Sequence, residues 1–397
     1  MKNFKLLLPS AQLLLSISLI FGTWIIYIPY ITSKLNMSEG QLGAVLALGA
    51  VGSLIGVNLG KPLIRKYGEG EISFYSILFV ALSSILFFIA PNLYLLGAAF
   101  IIYGAVSGSL QVASNSLIGV VERQNNVSIM STCHGFWSVG GLISAGGGTI
   151  LMANIGQPLV HISMMAALVI GIQMWFRKDF SHLRDKKKDA NNPTKKKRHI
   201  AIEKPILLLS LIGVASMVSE GAIADWSGLF LRDVTHSNEN IVGLGYAAFS
   251  LSMTLVRLIG DNLSVKYGSF KVLIMAFSIS IVGFLLVLSA NTVLSILGFA
   301  FTGIGFSVVV PEVYRIVSNY DENRRSENIA FIAGAGYVGY LVGPVLLGVI
   351  AEMVGLYYSF FVVLGLSSFG LISTLINERA NNKQTKSSIS DINTKPI

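Results

Sequence analysis

Four ionisable side chains stand inside stretches otherwise almost free of charge: Glu220 and Asp225, then Glu312 and Arg315. A carboxyl in low dielectric favours its neutral, proton-carrying form and releases the proton on meeting water, so buried acids suit proton coupling. Glu220 is the leading candidate. Ser216 lies one helical turn before it, and counting from Pro205 at ~1.5 Å per residue places Glu220 ~22 Å into a ~30 Å hydrocarbon layer. The competing reading is a neutral carboxyl hydrogen-bonded between helices. Asp225, beside Trp226, reads as a gate or a contact for a cationic or hydroxylated ligand. It reads alternatively as an acid that satisfies backbone where Gly221 and Gly228 loosen the helix. Glu312 follows Pro311, which removes a helical hydrogen bond and frees a carbonyl. With Arg315 three residues on, it is equally a transport-site acid or an ordinary ion pair near a helix end.

Uncharged polar residues are patterned around these acids. Gln12, Ser16, Thr23, Tyr27 and Tyr30 share one helical face, and Gln111 and Asn115, four apart, form another. A polar stripe on an apolar helix faces a wet cavity or bonds to a neighbouring helix. Trp24 and Trp137 can stack on a sugar ring or an apolar drug, and Trp226 joins them as a candidate lining residue. His134 reads as a proton relay or, more plainly, as an interhelical hydrogen-bonder. No His, Cys and carboxylate set has zinc-site spacing, and no Walker loop or nucleophile motif is present. Neither a metal, nor a cofactor, nor enzymatic activity is expected. Cys133 is the single cysteine, so no intrachain disulfide can form. Gly334-Ala-Gly336-Tyr-Val-Gly339 matches a dinucleotide fingerprint in letters, yet it falls inside a helix-length apolar run and carries no such meaning.

The elements that hold these residues follow from composition. The 397 residues are 53% apolar and 12% charged, with a mean hydropathy of +0.68. That is too little charge to cover a water-soluble surface. About twelve stretches approach the length an apolar helix needs to cross a bilayer: 9–32, 41–60, 72–90, 94–120, 128–152, 158–176, 205–231, 240–260, 271–289, 292–317, 327–351 and 357–376. The runs are continuous rather than alternating, which excludes an outer-membrane barrel. The expected class is therefore all-α and membrane-integral. The first span is too long for a cleaved signal and lacks a small-residue cleavage site. With the amino terminus in the cytoplasm, every Lys and Arg except Lys34, Arg232, Arg257 and Arg315 falls in a cytoplasmic segment. Much of the net charge of +9 sits in 177–204, where it anchors topology beside an anionic leaflet. No interleaved aromatics support nucleic-acid binding.

Lys61-Pro-Leu-Ile-Arg-Lys66-Tyr67-Gly68 returns two hundred residues later as Asp261-Asn-Leu-Ser-Val-Lys266-Tyr267-Gly268. Glu39 and Glu239, Gly43 and Gly243, and Gly60 and Gly260 also recur at that interval. The chain is two similar halves, the plan of a pseudo-symmetric membrane carrier. The expected organisation is a six-helix bundle over 1–176, a basic cytoplasmic linker over 177–204, a second six-helix bundle over 205–376 and a disordered tail over 377–397.

On these residues the chain resembles the major facilitator superfamily over nearly its whole length. Arg65-Lys66-Tyr67-Gly68 and the segment from Arg257 through Gly260-Asp261 to Gly268 look like the two versions of that family's cytoplasmic loop signature. The first departs from it, with Arg65 where an Asp is usual. The resemblance implies that Arg257, Asp261, Lys66, Gly68, Lys266 and Gly268 gate or brace, with Arg257 and Asp261 pairing. Gly22-Thr-Trp24, Ile28-Pro29, His134-Gly-Phe-Trp137-Ser138, Asp225-Trp226-Ser227 and Gly343-Pro344 narrow the likeness to the bacterial branch that includes the rhizopine-associated membrane protein. Relatives there often carry Arg near Tyr27 and Asp near Gln111, charges this chain lacks.

The function expected is a secondary carrier of the bacterial inner membrane, monomeric, multi-pass, with both termini cytoplasmic. It would move a small organic solute, a sugar or polyol derivative among the options, coupled to protons. Proton-antiport efflux of amphipathic drugs is the alternative, and a membrane sensor or scaffold without transport is the third reading.

Overall fold

Hydrocarbon offers no hydrogen-bond partners to backbone, so long apolar runs close their bonds internally as helices. The computed structural model describes residues 2–125, 127, 129–184, 203–320 and 325–393. Among these, regular structure is helical throughout. Before the linker come α1 (Lys2–Lys34), α2 (Glu39–Tyr67), α3 (Glu69–Ile89), α4 (Leu93–Asn125), α5 (Met130–Leu142), α6 (Gly148–Ile155) and α7 (Pro158–Phe180). After it come α8 (Lys204–Leu229), α9 (Leu244–Tyr267), α10 (Ser269–Val287), α11 (Thr292–Phe306), α12 (Val309–Tyr320), α13 (Arg325–Val354) and α14 (Leu356–Asn393). Eleven stretches of described residues are long and apolar enough to cross a membrane; α9, which carries Arg257, is not among them. Most of the linker, 185–202, lies outside the described residues. Helix α14 continues to Asn393, into the 377–397 segment.

Two expected spans are interrupted. The span 128–152 divides into α5 and α6 around a π-helical turn, Ile143–Gly147, where Gly146, Gly147 and Gly148 weaken the α-helical preference. The span 292–317 divides into α11 and α12 just before Pro311. Proline has no N–H for the carbonyl four residues back, so Ser307 O is released from the helical ladder. A second π turn, Phe230–Val234, extends α8.

The repeated motif is a helix stop. Gly68 (φ 95°, ψ 161°) and Gly268 (φ 80°, ψ 150°) both adopt a backbone region essentially restricted to glycine. Gly68 N donates to Ile64 O at 2.8 Å and Gly268 N to Ser264 O at 2.9 Å. Lys66 lies 4.9 Å from the Tyr67 ring and Lys266 5.0 Å from the Tyr267 ring. The same cap, built twice, ends α2 and α9. At the other end of α2, Ser38 and Gln41 close a reciprocal capping box, with bonds of 3.1 and 3.3 Å.

Helices on each side of the linker pack mainly on one another: α2 and α3 on α4, α1 on α5 and α7, then α10 on α11 and α14, and α8 on α13 and α14. Between α2 and α4 the backbones touch. A Cβ on Gly56 would collide with Ala105 O, and one on Gly108 with Ser53 O. The two groups meet through α2 and α13, α5 and α9, and α1 and α8. These meetings concentrate at the end where α1 finishes. There Gly43 faces Pro344 and Gly348, Gly243 faces Thr149, and Arg232 reaches the last turn of α1. Its Nη1 donates to Pro29 O, to Thr32 Oγ1 at 3.3 Å and to Ser33 Oγ at 2.8 Å. Asp233 holds the same guanidinium at 2.5 and 2.9 Å. The molecule is closed at this end.

Candidate functional site

A cavity of about 510 Å³ lies between the two groups of helices. One wall is aromatic and comes from before the linker. Trp24 on α1 sits edge-on to Phe87 of α3 at 5.1 Å and to Phe100 of α4 at 5.0 Å, ring centre to ring centre. Trp137 on α5 stands 6.1 Å from Phe21, the two rings tilted by 38°. All five rings line the cavity, as do Gln111, Asn115 and His134. Trp24 Nε1 and Asn115 Oδ1 are buried without a hydrogen-bond partner among the described residues.

The opposite wall is polar. Helix α8 contributes Glu220 and Asp225, and α9 contributes Tyr246, Phe249, Ser250, Met253 and Arg257. The α9 residues recur every three or four positions, so one helical face supplies them. Glu220 is half-buried and accepts from Ser216 Oγ at 3.4 Å. Arg257 reaches two places at once. Its Nη1 donates to Ser138 Oγ on α5 at 2.8 Å, which spans the cavity, and its Nε donates to Ser307 O at 3.3 Å. That carbonyl is the one Pro311 leaves free. The break between α11 and α12 thus builds an acceptor for the guanidinium. Asp225 is 5% exposed and has no hydrogen-bond or ion-pair partner among the described residues.

The structure gathers most of the predicted residues and sends others elsewhere. Trp24, Gln111, Asn115, His134, Trp137, Glu220 and Asp225 share the cavity. Tyr27 does not line it: its hydroxyl pairs with His161 Nδ1 of α7 at 3.0 Å. Gln12 and Ser16 of the α1 polar stripe behave similarly. Gln173 of α7 donates to Gln12 Oε1 at 2.7 Å and to Ser16 Oγ at 2.9 Å, and Thr23 Oγ1 donates to Leu19 O at 2.8 Å. Gln12, Ser16 and Tyr27 thus form a seam between α1 and α7, since a buried amide can satisfy itself there as well as in water, while Thr23 bonds within α1 and Tyr30 is 41% exposed. Trp226 is buried in packing rather than in the lining. Glu312, 1% exposed, accepts from Ser264 Oγ of α9 and lies 3.9 Å from Arg315 Nε; it braces α12 against α9. Lys66, Gly68, Lys266 and Gly268 form the two helix stops. The Asp261 side chain, expected to pair with Arg257, lies outside the described residues.

Arg257 and Tyr246 are among the lining residues that sequence reasoning left outside the cavity. Arg257 stands ten residues before the end of α9, or ~15 Å along the axis. The rule that singles out Glu220, an ionisable group deep in an apolar run, applies to it equally. Tyr246 shares the helical face of Arg257, and that spacing was the available signal.

Comparison with known proteins places this geometry. The chain matches the Major Facilitator Superfamily over residues 12–238 and again over 208–396. It is 28% identical over 340 residues to an uncharacterised MFS-type transporter of Yersinia pestis, covering 85% of this chain and 87% of that protein. It is likewise 28% identical over 343 residues to the membrane protein MosC of Rhizobium meliloti, covering 85% and 82%. Among solved structures it is similar to the nucleoside transporter NupG, with a TM-score of 0.71 at 15% identity over 94% of this chain and 98% of that one. A bacterial homologue of the lysosomal transporter Spinster, inward-facing and occupied, gives a TM-score of 0.68 at 12% identity over 95% and 96%. Fold and relatives point to a multi-pass membrane transporter that works by alternating access, and not to an enzyme. The chain belongs to the Major Facilitator Superfamily.

Proposed function

We propose that this transporter moves a small polar organic solute, a sugar or polyol derivative being the class first tested, and couples the movement to protons through Glu220. One observation carries the reading: Glu220 faces the cavity from the helix that also carries Asp225, with the Arg257 guanidinium on the same wall. A carboxyl that faces a largely apolar cavity is a place where a proton can be held on one side and released on the other. The amides of Gln111 and Asn115 and the faces of Trp24 and Trp137 suit a hydroxylated ring.

This reading goes with a twelve-span plan in which α9 crosses as the eighth span. Six spans then occupy 1–176 and six occupy 205–376, joined by the cytoplasmic linker 177–204 and followed by the tail 377–397. Both termini are cytoplasmic in a bacterial inner membrane, and the protein works as a monomer. Proton-antiport efflux of amphipathic compounds is the second reading, favoured by the extent of the aromatic wall.

The test is uptake and counterflow in proteoliposomes across a sugar and polyol panel, with and without an imposed pH gradient. The gradient is expected to drive net uptake in the wild type, while Glu220→Gln retains counterflow and loses the response to the gradient. Gradient-driven uptake that survives Glu220→Gln removes the coupling assignment.

A further inference from the structure

We propose, resting on the transport reading above, that Asp225 is the carboxylate that holds the solute and that the solute carries an organic ammonium group. Asp225 lies in the cavity wall at the closed end of the molecule. Three residues further along α8, a Cβ on Gly228 would lie 3.4 Å from Pro29 Cγ of α1, where the two groups of helices meet. Asp225 is 5% exposed, lines the cavity and has no hydrogen-bond or ion-pair partner among the described residues.

The other ionisable groups of the lining are differently placed. Glu220 has Ser216 at 3.4 Å and lies within electrostatic reach of Arg257. Arg257 is already engaged by Ser138 and Ser307. His134 comes from the second turn of α5, far along that helix from the closed end. Two carboxyls therefore face one guanidinium, and the carboxyl left over is Asp225. A desolvated carboxylate without a counter-charge is unfavourable, and an ammonium group relieves it with charge-assisted hydrogen bonds that a hydroxyl cannot equal. The aromatic lining adds to this, because the faces of Trp24, Tyr246 and Tyr340, all in the cavity, attract cations. The solute enters with its charged nitrogen leading toward the closed end and its remaining bulk against the aromatic wall.

The test uses the purified full-length protein and matched amine and alcohol pairs, tyramine against tyrosol and glucosamine against glucose. Binding is read by thermal shift and by isothermal titration. In at least one pair the amine is expected to bind about tenfold tighter than its alcohol, the scale of one charge-assisted bond. Asp225→Asn should abolish that preference, bringing the affinity for the amine down to that for the alcohol in the same variant. Glu220→Gln should keep the preference. Should Asp225→Asn fail to fold, Glu220→Gln decides the matter, because a preference lost in that variant assigns the ammonium to Glu220 and overturns the proposal. Equal binding of amine and alcohol, no binding by either amine, or a preference that persists in Asp225→Asn overturns the proposal. Counterflow of a neutral solute in that event leaves the transport reading standing, whereas absence of counterflow with every solute removes the transport reading itself.

Discussion

Pro311, Ser307 and Arg257 show how one residue type sets the chemistry of a neighbour. Pro311 cannot donate to Ser307 O, so Arg257 Nε takes that carbonyl at 3.3 Å and its Nη1 is held over the cavity at Ser138. Replacing Pro311 with Ala supplies the missing N–H and sets the helix in competition with Arg257 for the same acceptor. Pro311→Ala is expected to leave ligand affinity within about threefold and to slow counterflow more than that, the difference being under 1 kcal/mol for binding. Arg257→Met removes the positive charge from the wall that carries Glu220 and leaves Ser138 Oγ and Ser307 O without their donor, and a hydrogen bond from a charged group contributes about 1.5–3 kcal/mol. Counterflow by Arg257→Met should therefore fall at least tenfold, and a variant that transports normally would show that Arg257 plays no part at the site. The acids were legible in the sequence because an ionisable residue deep in an apolar run is conspicuous. The roles of Tyr27 and Glu312 were not legible. Spacing shows which residues share a face but not which neighbour that face meets, and His161 and Ser264, their partners, lie 134 and 48 positions away.

Helices and their ends were the most readable level. The repeated Lys-Tyr-Gly triplets predicted equivalent positions, and both prove to be glycine stops with a lysine over a tyrosine ring. Either glycine changed to alanine forces a residue with a Cβ into a backbone region that costs about 1–3 kcal/mol. Among the described residues nothing lies within 4 Å of a Cβ at Gly268, whereas one at Gly68 would meet Arg184 side-chain carbons at 3.3 Å. Thermal denaturation should thus rank Gly68→Ala as less stable than Gly268→Ala, with both below the wild type, and the reverse order would contradict this account of the caps. The breaks inside the fifth and tenth spans were less readable. Window-averaged apolarity does not register a π turn, and glycine runs signal close packing and helix weakening alike. Only Pro311 announced its break.

At the scale of the whole molecule, internal repetition and charge distribution indicated two halves of a carrier, but not which end would be shut. The structure shuts the end where α1 finishes, through Gly43 against Pro344 and Gly348 and through Arg232 on the last turn of α1. Glycine at 43 is required for this contact, since a Cβ there would sit 2.5 Å from Pro344 O and 3.3 Å from Gly348 Cα. Gly43→Leu is expected to wedge this end open, and Arg232→Ala to loosen it by removing the cross-bonds while leaving the cavity lining intact. The most direct test of alternating access combines these variants with a reporter at the cavity. With Cys133, the single cysteine, replaced by Ser, Ala224→Cys places a thiol in the lining beside Asp225. Labelling by a membrane-impermeant maleimide is then measured from each face of the membrane separately. The account predicts labelling from the linker side in the closed-end conformation and labelling from the opposite side once Gly43→Leu or Arg232→Ala is introduced. A thiol that reacts from both faces at once in the unaltered background, or from the opposite face alone, would contradict it.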